Sequence, residues 1–457
     1  MKRLCFLSLV AASAASISIS DPSDVIPESD WAADNAIMAN YSVAVEYIQR
    51  IAQVGPYMVS GKKKTFQHTT LKTDKNDTSV LVATKGADVS VQNTDIIKFG
   101  YYSNLIQSSF YGVNAAVLVA NNSRIHLSDV NITTHNGAAN VFAYGTDTVA
   151  YIDNAWLYSS GPTSHALYAA GNGTVHGKNI HTFSGGNRCS AFSGDTPAGY
   201  VYVEDSIAHT TGIGSAIGFA VKHLNFTNVI GYAEQAPVLF TIGEGEAVAT
   251  NCDLTGGLLG GAVTFSISKD TQAYPFELTL VNTKLKVLGD GPGLWYGSVY
   301  ANTYVQSSQI LAESGILAVA NFSTITEAFN FYTGYETSGN IVATADSRVY
   351  VEESALSGDL VAYNGSTLGF SFKEHSYWSG RAYIGYGDAE LGVSLDKTSI
   401  WNVTGNTALK NFTNADTSFS NVKSNGFSIT YDRHAPANKA LKGKTIKLAG
   451  GGTVSPV

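Results

Sequence analysis

Hydrophobic and polar residues alternate in short runs along most of this chain, and the runs recur. Seven small polar residues, Asn93, Asp129, Asn154, Asn179, Asp205, Asn228 and Asn251, each follow such a run, at separations of 36, 25, 25, 26, 23 and 23 residues. The first gap holds one extra loop, assigned to 100–111. Four positions before these markers stand Val89, Ile125, Ala150, Val175, Val201, Leu224 and Ala247. Two positions before stand Val91, Leu127, Ile152, Gly177, Val203, Phe226 and Ala249. The residues between are mixed or polar, so each run is a period-two pattern with one inward face and predicts a strand. A second run follows about twelve residues after most markers, at 117–119, 141–144, 166–169, 217–219 and 238–242. A third, shorter one starts just past the marker, at Ile96, Ile132, Leu157, Thr182 and Leu254.

Three short strands within about 24 residues leave no room for a helical crossover, which takes a dozen residues or more by itself. A period in the twenties that recurs this often is the signature of a solenoid. The expected fold is therefore all-β, a single-stranded parallel β-helix whose coils stack at about 4.8 Å. Asn and Asp tolerate the left-handed conformation and bond their own backbone, so the markers read as a ladder of structural corners. Past Asn251 the phase continues through Asn282, Ser307, Glu353, Glu374 and Lys397, which gives about thirteen coils.

The two ends follow different patterns. Residues 1–20, MKRLCFLSLVAASAASISIS, have a basic start, an apolar stretch and an Ala12-Ser13-Ala14 site, the form of a secretory signal peptide. The apolar run is too short for a membrane span, and cleavage near Ser20 is an alternative. In the segment 21–64, Val43, Tyr47, Ile48, Ile51 and Ala52 recur at helical spacing before Gly55-Pro56. That predicts a short amphipathic helix over 42–54, placed to cap the exposed edge of the first coil. A basic run, Lys62-Lys63-Lys64, leaves open that this segment is a removed pro-segment. The β-helix domain is taken as 65–457, its first full coil at 80–96, with 402–457 closing the far end. No linker divides it.

Composition narrows the function. The chain has 457 residues, 45 of them Gly, only 14% charged, with a net charge of −8. No basic patch offers itself to nucleic acid. Sequons start at Asn40, Asn76, Asn121, Asn131, Asn172, Asn225, Asn321, Asn364, Asn402 and Asn411. Behind a signal peptide these are candidate N-glycosylation sites, and Asn131 and Asn225 fall on outward phases. Cys5 leaves with the signal. Cys189 and Cys252 lie some two and a half coils apart, on the order of 12 Å along the axis. Bridged Cα atoms need about 7 Å or less, so no disulfide is expected and both thiols should be free and buried.

Candidate chemistry is sparse. Asp153 and Glu204 share one phase two coils apart, about 9.6 Å, near the carboxylate separation of inverting glycosidases. Lys178 stands between them, which makes an ion-pair ladder rather than an acid–base pair. Histidines a whole coil apart cannot share a metal at about 2.1 Å per bond, and no Cys/His cluster, phosphate loop or dinucleotide motif occurs. No catalytic residue, metal or cofactor is assigned. One row remains: His126, Tyr151, His176 and Tyr202 occupy the same outward phase in four successive coils. Their stacked edges offer a platform for a sugar chain, although cross-strand aromatic ladders also stabilise sheets without any ligand.

The segments SFYGVNAAVLVA (109–120), NVFAYG (140–145), SIWNVTGNTALKNFTN (399–414) and KTIKLAGGG (444–452) resemble secreted right-handed parallel β-helix repeat proteins of the adhesin and autotransporter-passenger kind. The tail is similar to their closing strand. The resemblance covers nearly everything after residue 60 and implies an extracellular β-helix with no assigned catalytic residues. Their membrane-barrel or wall-anchor module is not seen in this sequence, so a directly anchored adhesin is not the expectation, and the paired-Asp and Arg/Lys motifs of pectate-lyase and polygalacturonase relatives do not appear. The expectation is a secreted, non-catalytic protein that contacts polysaccharide or cell surfaces. The alternative is a polysaccharide lyase or glycoside hydrolase with its site on a sheet face or in the 267–345 loops.

Overall fold

The structure, a computed structural model, describes residues 53–457 apart from 101–104, 136, 258–259, 267–273, 322–343 and 364. The expected signal peptide, most of the expected capping helix, and the sequons at Asn40 and Asn364 lie outside the described residues. What is described is an all-β parallel solenoid of about 14 turns with about 3% helix. Its first face is a 13-stranded sheet that includes Leu81–Thr84, Val117–Ala120, Val141–Tyr144, Leu167–Ala170 and Phe192–Gly194. The second and third faces are the two halves of long bent strands, Asp88–Lys98, Arg124–Thr134, Val149–Ser159, Gly173–Ser184, Gly199–Thr210 and His223–Ala233. Each strand pairs in parallel with its equivalent one coil on, as in Val89↔Ile125 and Ile125↔Ala150.

The bend falls on the markers. Asn93, Asp129, Asn154, Asn179, Asp205, Asn228, Asn251, Asn282, Ser307, Glu353 and Glu374 all have φ between 46° and 56°. One left-handed residue interrupts the alternation: in Asp88–Lys98, Gln92 and Asn93 both face solvent, and Thr94 turns back inside. Two ladders hold the corner. Outside, Asn154 Nδ2 donates to Asp129 Oδ1 at 2.6 Å and Asn179 Nδ2 to Asn154 Oδ1 at 3.0 Å. Inside, the backbone N–H that follows a corner needs a partner, and at several corners a hydroxyl from the next coil supplies it. Ile180 N donates to Ser206 Oγ at 3.0 Å, Thr283 N to Ser308 Oγ at 2.9 Å and Ser308 N to Ser354 Oγ at 2.9 Å. Lys397 does not join the series. There the chain turns through Asp396, whose Oδ1 accepts from the Thr398 and Ser399 amides at 2.9 and 2.7 Å.

Three further differences from the sequence reading have physical causes. The solenoid starts earlier than 65: Tyr57–Ser60, Lys63–Gln67 and Thr70–Thr73 form a coil ahead of the one expected to be first. Its middle strand, KKTFQ, buries no residue, so it shows no alternation. Lys63 and Lys64 pair with Asp88 and Val89, so the basic run lies within a coil and not in a linker before one. The segment 100–111, read as a plain loop, contains an α-helix, Leu105–Tyr111. The first-face strands were expected to alternate, yet LVAT, VLVA and LYAA are buried throughout. One side faces the solenoid interior. The other joins separate apolar clusters, Val82, Leu118, Phe142 and Tyr168 among them, then Phe240 and Val263. Strands covered on both sides read as continuous apolar runs rather than alternating ones.

Lys98 is fully buried, occupying the inward position that Thr134 takes one coil on. Its Nζ donates to the Lys75 carbonyl at 3.0 Å and to the Gly100 carbonyl. Asn114 Nδ2 donates to that same Gly100 oxygen at 3.0 Å, so these bonds anchor the ends of the 99–116 connection. Burial pushes the Lys98 ammonium down to about 8, opposed by the Asp77 and Asp74 carboxylates. Between there and the unfolded value of about 10.4, the unfolded chain binds a proton that the folded chain has released. Stability must therefore rise with pH across that window. Urea unfolding of wild type and Lys98→Met at pH 8 and pH 10 should show the difference between them moving in favour of wild type at the higher pH. A pH-independent difference would contradict the assignment.

Candidate functional site

The second face carries the row singled out from the sequence. Backbone register places His126 opposite Tyr151, Tyr151 opposite His176, His176 opposite Tyr202, and Tyr202 opposite Asn225. All four side chains point outward; His126 is exposed and the other three are half-buried. Ring centroids are 4.8, 5.0 and 4.8 Å apart, with planes within 9°, 9° and 11°. Parallel rings this close are stacked face to face with an offset. Their faces are thus turned toward one another along the solenoid axis. What the row presents to solvent is ring edge, carrying tyrosine hydroxyls and imidazole nitrogens. At its end Tyr202 meets His223 at 4.8 Å, tilted 45°, and His223 Nδ1 lies 2.6 Å from Glu246 Oε1. Burial lowers the His176 pKa, with Glu204 opposing, so that imidazole stays neutral. Burial first, then Glu246 and Tyr200, raise the Tyr202 pKa, so its hydroxyl keeps its proton.

Charged residues flank the row in the same coils. Lys178 is in register with Asp153 on one side and Glu204 on the other. Its ammonium contacts Glu204 at 3.6 Å and Asp205 at 3.9 Å, so the ion pair forms with the later coil. Asp153 and Glu204 therefore sit on an open surface beside a cation, not in a shared enclosed site. Among the described residues no group of three or more His, Cys, Asp or Glu is placed to hold a metal ion. Cys189 and Cys252 are free and buried. Burial pushes the Cys189 thiol up to about 12, and it fills a hydrogen-bonding place, accepting from Ser164 N at 2.9 Å.

Several groups were missed in the sequence. The row resumes farther on: Asn225, Val248 and Thr279 continue it in register, then Tyr304 and Tyr350 stack at 5.2 Å and 16°. Both stand three residues before a marker, as Tyr151 does, so the same phase would have found them. The third face has its own rows. Tyr158, Phe183, His209 and Tyr232 follow their markers by four residues and stand in register. Beside them Trp156 lies against His181 at 4.9 Å, and Trp156, Ile230 and Tyr232 are exposed.

A buried polar cluster lies on the outer side of the first face. Tyr168 donates its hydroxyl to Asp195 Oδ2, and the Thr196 amide donates to Asp195 Oδ1 at 2.6 Å. The His165 ring packs on Tyr168 at 4.4 Å, and its Nδ1 lies 3.1 Å from both the Ser190 carbonyl and Ser193 Oγ. Burial pushes the Asp195 carboxyl up and the His165 imidazole down to about 3, so burial favours the neutral form of each. Perturbed groups of this kind also mark functional sites. Here both carboxyl oxygens are engaged, and the His165 Nδ1 proton goes to a carbonyl, so Ser193 has no base at that nitrogen. No repeat phase announces this cluster, because it lies on the strands and turns where the spacing varies most.

The sequons divide by exposure. Asn76, Asn121, Asn131 and Asn172 are exposed, while Asn225, Asn321, Asn402 and Asn411 are half-buried. Asn225 extends the His126–Tyr202 row, so a glycan there would stand at its end. Comparison of the chain with protein-family models, with curated proteins and with solved structures finds no match.

Proposed function

We propose that this is a secreted β-helix protein, adhesin-like, whose second face holds extended polysaccharide on a cell or wall surface without cleaving it. The observation that carries the reading is the regular spacing of the four stacked rings. A linear polymer laid along the axis meets imidazole nitrogens and a tyrosine hydroxyl in alternate coils, so small hydrogen-bond contributions repeat every two coils. Secretion rests on the N-terminal pattern of residues 1–20 and on the ten sequons.

The double variant Tyr151→Ala/Tyr202→Ala tests it. Each lost ring contact costs about 0.5–1.5 kcal/mol of stability, which a solenoid of this length tolerates locally. Retention on insoluble polysaccharide should fall about tenfold or more, equivalent to about 1.4 kcal/mol. Tyr304→Ala, farther along the same face, should bind like wild type. Undiminished retention by the double variant would mean that the row is a sheet-stabilising ladder only.

A lyase or hydrolase is the second reading. The observation in its favour is Asp195, a carboxyl pushed toward the protonated form that a general acid needs. Against it stand the occupied oxygens described above. Of the 267–345 region, residues 267–273 and 322–343, with Phe329, Phe331, Tyr332 and Tyr335, lie outside the described residues; Tyr296 is buried and Trp295 half-buried.

A further inference from the structure

The charges around the second-face row bear on which polymer it accepts, an inference that rests on the polysaccharide-holding reading above. In the four coils that carry the rings, the outward positions bordering the row include four carboxylates, Asp129, Asp153, Glu204 and Asp205, all exposed. Two permanent cations face them, Arg124 and Lys178, and Lys178 is already paired with Glu204 and Asp205. The imidazole within the row at His176 is neutral by burial. Two coils on, Glu246 adds a fifth carboxylate, held against His223. The ring edges therefore lie in a field of net negative sign.

We propose that the second face selects uncharged, hydroxyl-rich polysaccharide and rejects uronate or sulfate polymers. A polyanion along the axis would bring a charge to nearly every coil, within about one Debye length (~8–10 Å) of these carboxylates. Like charges facing each other across an interface cost affinity and serve to exclude wrong partners. A neutral glycan meets no such penalty, and its hydroxyls donate to the ring nitrogens and accept from the tyrosines. Asp153 and Glu204 are thus specificity-determining residues: one is a carboxylate in register with Lys178 that forms no ion pair with it, the other the nearer of the two carboxylates that pair with Lys178.

The test uses the full secreted chain on insoluble β-glucan or xylan and on crosslinked polygalacturonate, at low and at 0.5 M salt. Wild type should be retained on a neutral polymer with little change in salt and should pass through polygalacturonate. Asp153→Asn/Glu204→Gln removes two carboxylates and releases Lys178. It should keep its neutral-polymer retention and gain about tenfold or more on polygalacturonate at low salt, lost again at 0.5 M. Wild-type retention on polygalacturonate equal to or above the neutral polymers overturns the selectivity while leaving polysaccharide holding intact. No gain by the double variant also overturns it. Retention on none of the polymers overturns both readings together.

Discussion

Trp401→Ala should lower the unfolding free energy by about 4 kcal/mol or more, a loss readable from the urea midpoint. The side chain is fully buried inside the far half of the solenoid. It stacks on Trp378 at 4.7 Å and 19°, and meets the edge of Phe412 at 5.8 Å. Truncating a buried tryptophan removes its transfer free energy and leaves a cavity, about 3–5 kcal/mol together. A second loss adds to this. Trp401 Nε1 donates to the Gly380 carbonyl at 2.9 Å, as Trp378 Nε1 does to the Gly358 carbonyl at 2.9 Å one coil earlier. The stranded acceptor costs a further 1–3 kcal/mol or so. Trp401→Phe keeps most of the stack and forfeits only the donor, so it should lose much less. Trp378→Ala/Trp401→Ala should lose less than the two singles added, because each ring is the other's neighbour.

Gly186→Ala should be comparably damaging, although it adds a single methyl group. A Cβ at this position would stand 1.6 Å from the Gly161 oxygen and 2.6 Å from Cys189 Sγ. One coil on, a Cβ at Gly212 would stand 2.0 Å from the Gly186 oxygen. These glycines stack where the third face turns into the first, and the contact is with backbone, which cannot rotate away. Overpacking commonly costs about 1–3 kcal/mol; a backbone clash this close should exceed that, because two coils must separate. Gly86→Ala is the matched control. That glycine has φ +77° but nothing within 4 Å of its would-be Cβ, so only the left-handed penalty of about 1–2 kcal/mol applies. If Gly186→Ala and Gly86→Ala melt together, the coil packing at this turn is looser than described.

The corners were legible in the sequence because one backbone conformation selects for few side chains. A single left-handed residue per coil favours Asn and Asp, and the burial of Val89, Val91 and Ile96 around Asn93 follows from that bend. Where the corner holds Ser307 or Glu353 the preference is weaker, yet the hydroxyl beneath it, Ser308 or Ser354, keeps the pattern. The row His126–Tyr202 was legible because outward residues keep their phase. Its orientation was not: stacking makes it a comb of edges, and that depends on side-chain torsions that spacing does not encode. The opening coil was hidden because its exposed KKTFQ strand has no apolar period. The first face was misjudged because burial on both sides erases the alternation that identifies a strand with one wet side.

The most direct test of the account is to incubate the purified secreted chain with insoluble neutral polysaccharides and to follow two signals together, protein retained on the solid and reducing or unsaturated ends released into solution. Retention with no release, reduced by Tyr151→Ala/Tyr202→Ala, is the predicted result. Release of ends from any one polymer would contradict it, make this chain an enzyme, and move attention to Asp195 and His165 on the first face.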